Sequence, residues 1–191
     1  MDLFYYLCGM QEESSQLHNY VYSSEMVGFV SISNKFCLFL EQLKGEDGKA
    51  FIELSVKLLS DVYSGILTIG VTEPVFESEG EATVSEEDWS QVYKRISLLL
   101  GPYNDILRQA EDEEFDRSEL VTHTISEDLA DVYQDLRDFT SIYSRGIEEL
   151  MNDAAWELRE HFAEHWGKKL LRSLMALHEL YIQGTDPAET E

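Results

Sequence analysis

The sequence predicts an all-α fold, a single-domain bundle of five to six largely antiparallel helices, on three observations. Apolar residues recur at helical spacing, most regularly at Ile125, Leu129, Val132, Leu136, Phe139 and Tyr143, in alternating steps of four and three that place them on one helix face. No strand signal rises above the background anywhere in the chain. Turn residues separate the periodic segments by short to medium links, the connection pattern of a bundle. The 125–143 segment is the expected spine against which the other helices pack.

Residues 1–18 are weakly determined, residues 19–183 form the bundle, and residues 184–191, with Pro187, form a polar tail. The first bundle helix starts near Asn19 or Ser24 and runs to Leu43, with Met26, Phe29, Phe36, Leu40 and Leu43 on one face and Ser33 interrupting it. Gly45-Glu46-Asp47-Gly48 is turn chemistry. The second helix spans about Lys49 to Leu67, with Ile52, Val56, Leu59, Tyr63 and Ile66 as its stripe, and so short a link makes the pair antiparallel. A loop follows from Gly70 to Val84. Ser85 then caps a third helix, with Asp88 completing a short-armed capping box and Gly101-Pro102 stopping it.

Tyr103 to Ala110 reads as a short helix, and Glu111 to Glu119, six acids and one arginine, as exposed chain. Ser126 is the expected cap of the spine, with Glu127 and Asp128 placed against its N-terminal dipole. Its apolar stripe lies opposite Ala130, Gln134, Arg137 and Ser141. Gly146 ends the spine. Ile147 to Tyr181 is one kinked helix, or two meeting near Gly167, with Met151, Ala154, Leu158, Phe162, Trp166, Leu170, Leu174 and Leu177 in its stripe.

The charge is lopsided: 38 acids against 14 bases give a formal net charge of −24. Such a surface repels phosphate, which argues against nucleic acid and equally against anionic membranes as partners. With 43% hydrophobic residues and 10 tyrosines, the chain is too apolar for a disordered acidic tract. Cys8 and Cys37 form no C-x-x-C pair, and Cys37 reads as a small buried apolar residue. No apolar run reaches membrane-span length and the start lacks a basic n-region, so the expected residence is cytoplasmic.

Chemistry could reside in four places. Asp128, Asp131, Asp135 and Asp138 share a face of the spine about a quarter turn from the apolar stripe, where they flank the packing edge. Asp135-x-x-Asp138 on the spine and Glu157-x-x-Glu160 on the next helix could face each other across an antiparallel pair. With Asp131 they would suit Mg²⁺ carrying nucleotide phosphates. All-α nucleotide pyrophosphohydrolases use such acid pairs, but in a different order. His161, Glu164 and His165 fit the H-x-x-E-H metalloprotease pattern, which is short enough to arise by chance in a Glu-rich helix. Finally, Lys168, Lys169 and Arg172 form the one basic cluster, able to hold an anion or to answer the spine's aspartates. No firm metal set, serine elbow or dinucleotide glycine run is present.

The run Ser126-Glu127-Asp128-Leu129-Ala130-Asp131-Val132-Tyr133-Gln134-Asp135-Leu136-Arg137-Asp138-Phe139 resembles the signature of an uncharacterised bacterial family, domain of unknown function 5063. Asn34-Lys35-Phe36-Cys37 with Phe39-Leu40-Glu41 resembles it too. So does His165-Trp166-Gly167-Lys168-Lys169-Leu170 with Leu174-Met175-Ala176-Leu177-His178. The resemblance covers about residues 20–182. It implies a small helical protein with no assigned activity, carries no catalytic residue over, and draws attention to Asp128, Asp131, Tyr133, Gln134, Asp135, Trp166 and His178. Two functions follow as expectations. One is a non-enzymatic protein-interaction or adaptor module, without cofactor, acting on another protein through that partner's basic surface. The other is a Mg²⁺-dependent nucleotide hydrolase using Asp131, Asp135, Asp138, Glu157 and Glu160.

Overall fold

The computed structural model describes residues 15–44, 47–76, 82–109 and 120–189. Gly45 and Glu46 of the first turn, residues 77–81 of the Gly70–Val84 loop, the Glu111–Glu119 acidic stretch, Cys8 and most of the N-terminal segment lie outside them. Helical residues 15–21 (α1) lead into α2 (Ser24–Glu41), α3 (Gly48–Thr68) and α4 (Glu86–Leu100). A 3₁₀ turn (Gly101–Asn104) and two strands, β1 (Asp105–Gln109) and β2 (Leu120–Thr124), precede α5 (Ile125–Tyr143) and α6 (Glu148–His161). A π-helical segment (Phe162–Trp166) then joins α6 to α7 (Gly167–Gln183).

The α5 helix is the spine. It packs against α2, α4, α6 and α7, and Leu129, Leu136 and Phe139 are at most 2% exposed. Helices α2, α3, α7 and α5 form a closed ring in which each packs on the next. Neighbours in the ring run antiparallel. Across α2 and α5, Phe29 meets Phe139 while Cys37 lies against the Tyr133 carbonyl. Across α5 and α7, Asp128 meets Arg172 and Asp131 meets Lys169. Helices α4 and α6 flank α5 outside this ring, which is why Ala130, opposite the apolar stripe, is itself fully buried.

Local signals explain most boundaries. The Asp47 carboxylate caps α3 by accepting from the Lys49 and Ala50 amides, and Ser85 and Asp88 form the reciprocal box that starts α4. Gly101, at φ 51°, ends α4 in the left-handed region that glycine tolerates. The spine is capped differently from expectation: Thr124, not Ser126, accepts from the Glu127 amide at 3.2 Å. Ser126 lies two residues further into the helix and is buried, where its amide and hydroxyl are both held by the Asn104 side chain at 2.9 Å.

The strands are the main departure from an all-helical reading. Instead of a short helix over Tyr103–Ala110, Asp105–Gln109 pairs antiparallel with Leu120–Thr124, Ile106 opposite His123. The second strand, LVTHT, is rich in β-favouring residues. Its partner carries too weak a pattern to show the pairing without its mate. The tail also differs. Pro187–Glu189 is a 3₁₀ turn, and the Pro187 ring is buried against Gly48, where a Cβ would meet it at 2.8 Å. The buried Ser33 and Ser55 hydroxyls find no partner among the described residues, an unsatisfied polar burden the bundle carries in its core.

Candidate functional site: a carboxylate cleft between the spine and α6

The four aspartates of the spine leave its surface at successive turns and meet four different environments. Asp128 is buried, and the Arg172 guanidinium grips it with two nitrogens, Nε donating to Oδ2 at 2.7 Å and a terminal nitrogen to Oδ1. Asp131 accepts from Trp89 Nε1 at 2.8 Å and pairs with Lys169 Nζ. Asp138 Oδ1 accepts from the Thr83 amide, the Thr83 hydroxyl and the Val84 amide, at 2.5, 2.6 and 2.7 Å, and so pins the chain entering α4. Asp135 faces His161, Oδ1 to Nδ1 at 3.0 Å.

All of these aspartates but Asp128 line a cleft of about 320 Å³ between α5 and α6. Asp131, Asp135, Asp138 and Glu157 supply its carboxylates, Gln134 an amide, and His161 and Lys169 its cationic or titratable nitrogens. Phe139, Ile142, Ala154 and Leu158 form an apolar floor. Glu157 and Gln134 make no hydrogen bond or ion pair among the described residues.

Burial raises the Asp135 carboxyl above its ordinary range; the His161 contact opposes this, and Asp138 and Asp131 reinforce it. A carboxyl with a raised folded-state pKa stabilises the fold in its protonated form, so its contribution is lost as pH rises through that pKa. Asp135→Asn is therefore expected to raise the melting temperature at neutral pH and above, where the variant is spared the cost of a buried, ionised carboxylate. The gain should shrink as pH falls through the folded-state pKa of Asp135 and vanish by about pH 4, where the carboxyl is protonated in the unfolded chain too. Melting curves of both proteins across that range check it; a variant less stable at every pH contradicts it.

The sequence candidates thus divide. Asp131, Gln134, Asp135, Asp138, Glu157 and Lys169 converge on one cleft. Glu160 does not: it is exposed and does not line the cleft, because the other α6 residues of the cleft, Ala154, Leu158 and His161, lie ~40–100° to one side of Glu157 and Glu160 lies ~60° to the other. Lys168 and His178 are exposed on α7. Tyr133 is buried, its hydroxyl donating to Glu41 at 3.0 Å. Trp166 is fully buried and donates to the Leu158 carbonyl at 3.0 Å. The H-x-x-E-H residues fall in and beside the π segment. His161 turns to Asp135, while Glu164 and His165 stay exposed. Among the described residues no three His, Cys, Asp or Glu side chains are placed to hold a metal ion. Trp89 and Thr83 were not legible as partners of the spine, since each lies over 40 residues away in sequence from the aspartate it meets.

Comparison with known proteins adds a family and a fold relative. A family model described as "Domain of unknown function (DUF5063)" matches residues 20–183. No curated protein matches the chain. The crystal structure of protein BF1032 from Bacteroides fragilis is similar at a TM-score of 0.74 and 28% identity, over 84% of this chain and 94% of that one. No helix among the described residues is long and apolar enough to cross a membrane.

Proposed function

This chain belongs to the DUF5063 family, and we propose that it is a helical interaction module whose α5–α6 cleft receives a basic side chain of a partner protein. The observation that carries this is the state of the cleft's carboxylates. Glu157 is unpaired among the described residues, and Asp135 has only the part-exposed His161 beside it. A lysine or arginine stem would lie along the apolar floor of Phe139, Ile142 and Leu158 while its cation met Asp135 and Glu157. The net charge of −24 steers such a partner toward the surface.

The test is capture from cell extract at low salt by the wild-type protein and by Asp135→Asn/Glu157→Gln. A partner held by the first, lost by the second and released by salt supports the module. No reproducible partner, or one retained equally by both, removes it.

The Mg²⁺-dependent hydrolase is the second reading, favoured by the meeting of Asp135 and Glu157 in one cleft. It is weakened because Asp131 and Asp138 are already committed to Trp89, Lys169, Thr83 and Val84. A Mg²⁺ or Mn²⁺ thermal shift abolished in Asp135→Asn would revive it.

A further inference from the structure

A second cleft, of about 460 Å³, opens where α2 ends against α4 and α5. It is separate from the carboxylate cleft: Arg137, which lines it, lies ~160° round the spine from Asp135, and α4 takes the place of α6 as the facing wall. Glu41 of α2, Asp88 and Arg95 of α4 and Arg137 of the spine supply its charges. Two acids and two bases leave its walls formally neutral, in a chain where acids outnumber bases 38 to 14.

The bonds inside this cleft are incomplete in a particular way. The Arg137 side chain is 34% exposed and pairs its Nε with Glu41 Oε1 at 3.1 Å. The same oxygen accepts from the Tyr133 hydroxyl at 3.0 Å. Neither terminal nitrogen of Arg137 has an acceptor among the described residues. A guanidinium held by Nε alone keeps free the two-pronged end that fits a carboxylate. Arg95, by contrast, is spent on structure, donating to the Glu41 carbonyl at the end of α2 and to Gln91 Oε1. Acceptors are left over as well. Asp88 takes both bonds from Ser85 on Oδ2, and Glu41 makes both of its side-chain contacts through Oε1. Asp88 Oδ1 and Glu41 Oε2 therefore have no donor among the described residues.

Charge narrows what could use these groups. The −24 surface repels a simple anion, and the open end of Arg137 repels a lone cation. A molecule carrying both a carboxylate and an ammonium group has no net charge and satisfies both open sets. We propose that this cleft binds a small zwitterion of the free α-amino-acid class. Its carboxylate lies on the terminal nitrogens of Arg137, and its ammonium group meets Asp88 Oδ1 and Glu41 Oε2. Gln91 and the Ser141 hydroxyl, which has no partner among the described residues, add a polar wall that suits an uncharged polar side chain. The volume lies within the ordinary range for small-molecule sites.

The probe is L-glutamine, titrated into the full chain at neutral pH and followed by amide chemical shifts. Saturable shifts centred on α4 and on the spine around Arg137 and Ser141 are expected. N-acetyl-L-glutamine lacks the ammonium group and L-glutaminamide the carboxylate; each should bind at least about tenfold more weakly, the effect of losing one charge-assisted contact. Arg137→Lys keeps a cation beside Glu41 but loses the fork, and should weaken L-glutamine binding by a similar factor. Glu41→Gln/Asp88→Asn keeps the oxygens that accept from Tyr133 and Ser85 while removing both negative charges. It should abolish the preference for L-glutamine over N-acetyl-L-glutamine even where Arg137→Lys fails to fold. No saturable shift with L-glutamine up to its solubility overturns the proposal. So does equal binding of either blocked analogue, or a preference that survives Glu41→Gln/Asp88→Asn.

Discussion

Replacing Arg172 with alanine is expected to destabilise the fold by about 3–5 kcal/mol, the cost of stranding a buried carboxylate. Asp128 is 2% exposed and sits between α5 and α7, with Arg172 held by both of its oxygens. The Ser173 hydroxyl, at 3.5 Å, could compensate little. Removing the cation therefore leaves an anion with nowhere to go. Removing both charges should behave differently. Asp128→Leu/Arg172→Leu ought to recover most of the loss, because a well-packed apolar pair avoids the desolvation that the ion pair only offsets. Urea titrations of the two single variants and the double variant decide this. If Arg172→Ala costs under 1 kcal/mol, the pair is a surface contact in energetic terms.

The second large effect is at Trp166. Trp166→Ala is expected to cost about 3–5 kcal/mol, the usual penalty for emptying a fully buried aromatic site. The indole is 0% exposed, packs on Phe162 with ring centroids 4.7 Å apart, and donates to the Leu158 carbonyl. That carbonyl belongs to the last turn of α6, where the π segment widens the helix. Trp166→Phe should lose less, chiefly the hydrogen bond at about 1 kcal/mol. Gly167 is part of the same device: a Cβ there would clash with the Phe162 carbonyl oxygen. Equilibrium unfolding of the two Trp166 variants separates packing from hydrogen bonding. Equal losses would mean that the indole nitrogen, not ring volume, holds this junction.

Periodicity made the bundle legible because each helix buries a face set by residues three and four apart, so that the spine's Leu129, Leu136 and Phe139 announced their burial. An irregularity just ahead of Gly167 was legible for the same reason: repeated steps of four drift a stripe sideways, and the π segment absorbs that drift. Long-range partners were not. Which aspartate meets Arg172 and which meets Lys169 depends on the relative register of α5 and α7, and nothing in either helix alone sets it. The strand pair was missed because two five-residue segments, Asp105–Gln109 and Leu120–Thr124, gain their identity only from each other. The cap was misplaced by two residues because Thr124 and Ser126 are both competent, and Asn104, distant in sequence, takes one of them out of contention.

The order in which the ring of helices closes has a consequence for synthesis. Helix α7 is the last of the four to leave the ribosome, and it closes the ring by packing on both α3 and α5. A nascent chain that has emerged only as far as α6 exposes the apolar flanks of both helices and leaves Asp128 without its guanidinium. Most cooperative stability must then wait until α7 has emerged. Premature termination anywhere before Arg172 should yield a sticky intermediate that chaperones hold or proteases clear.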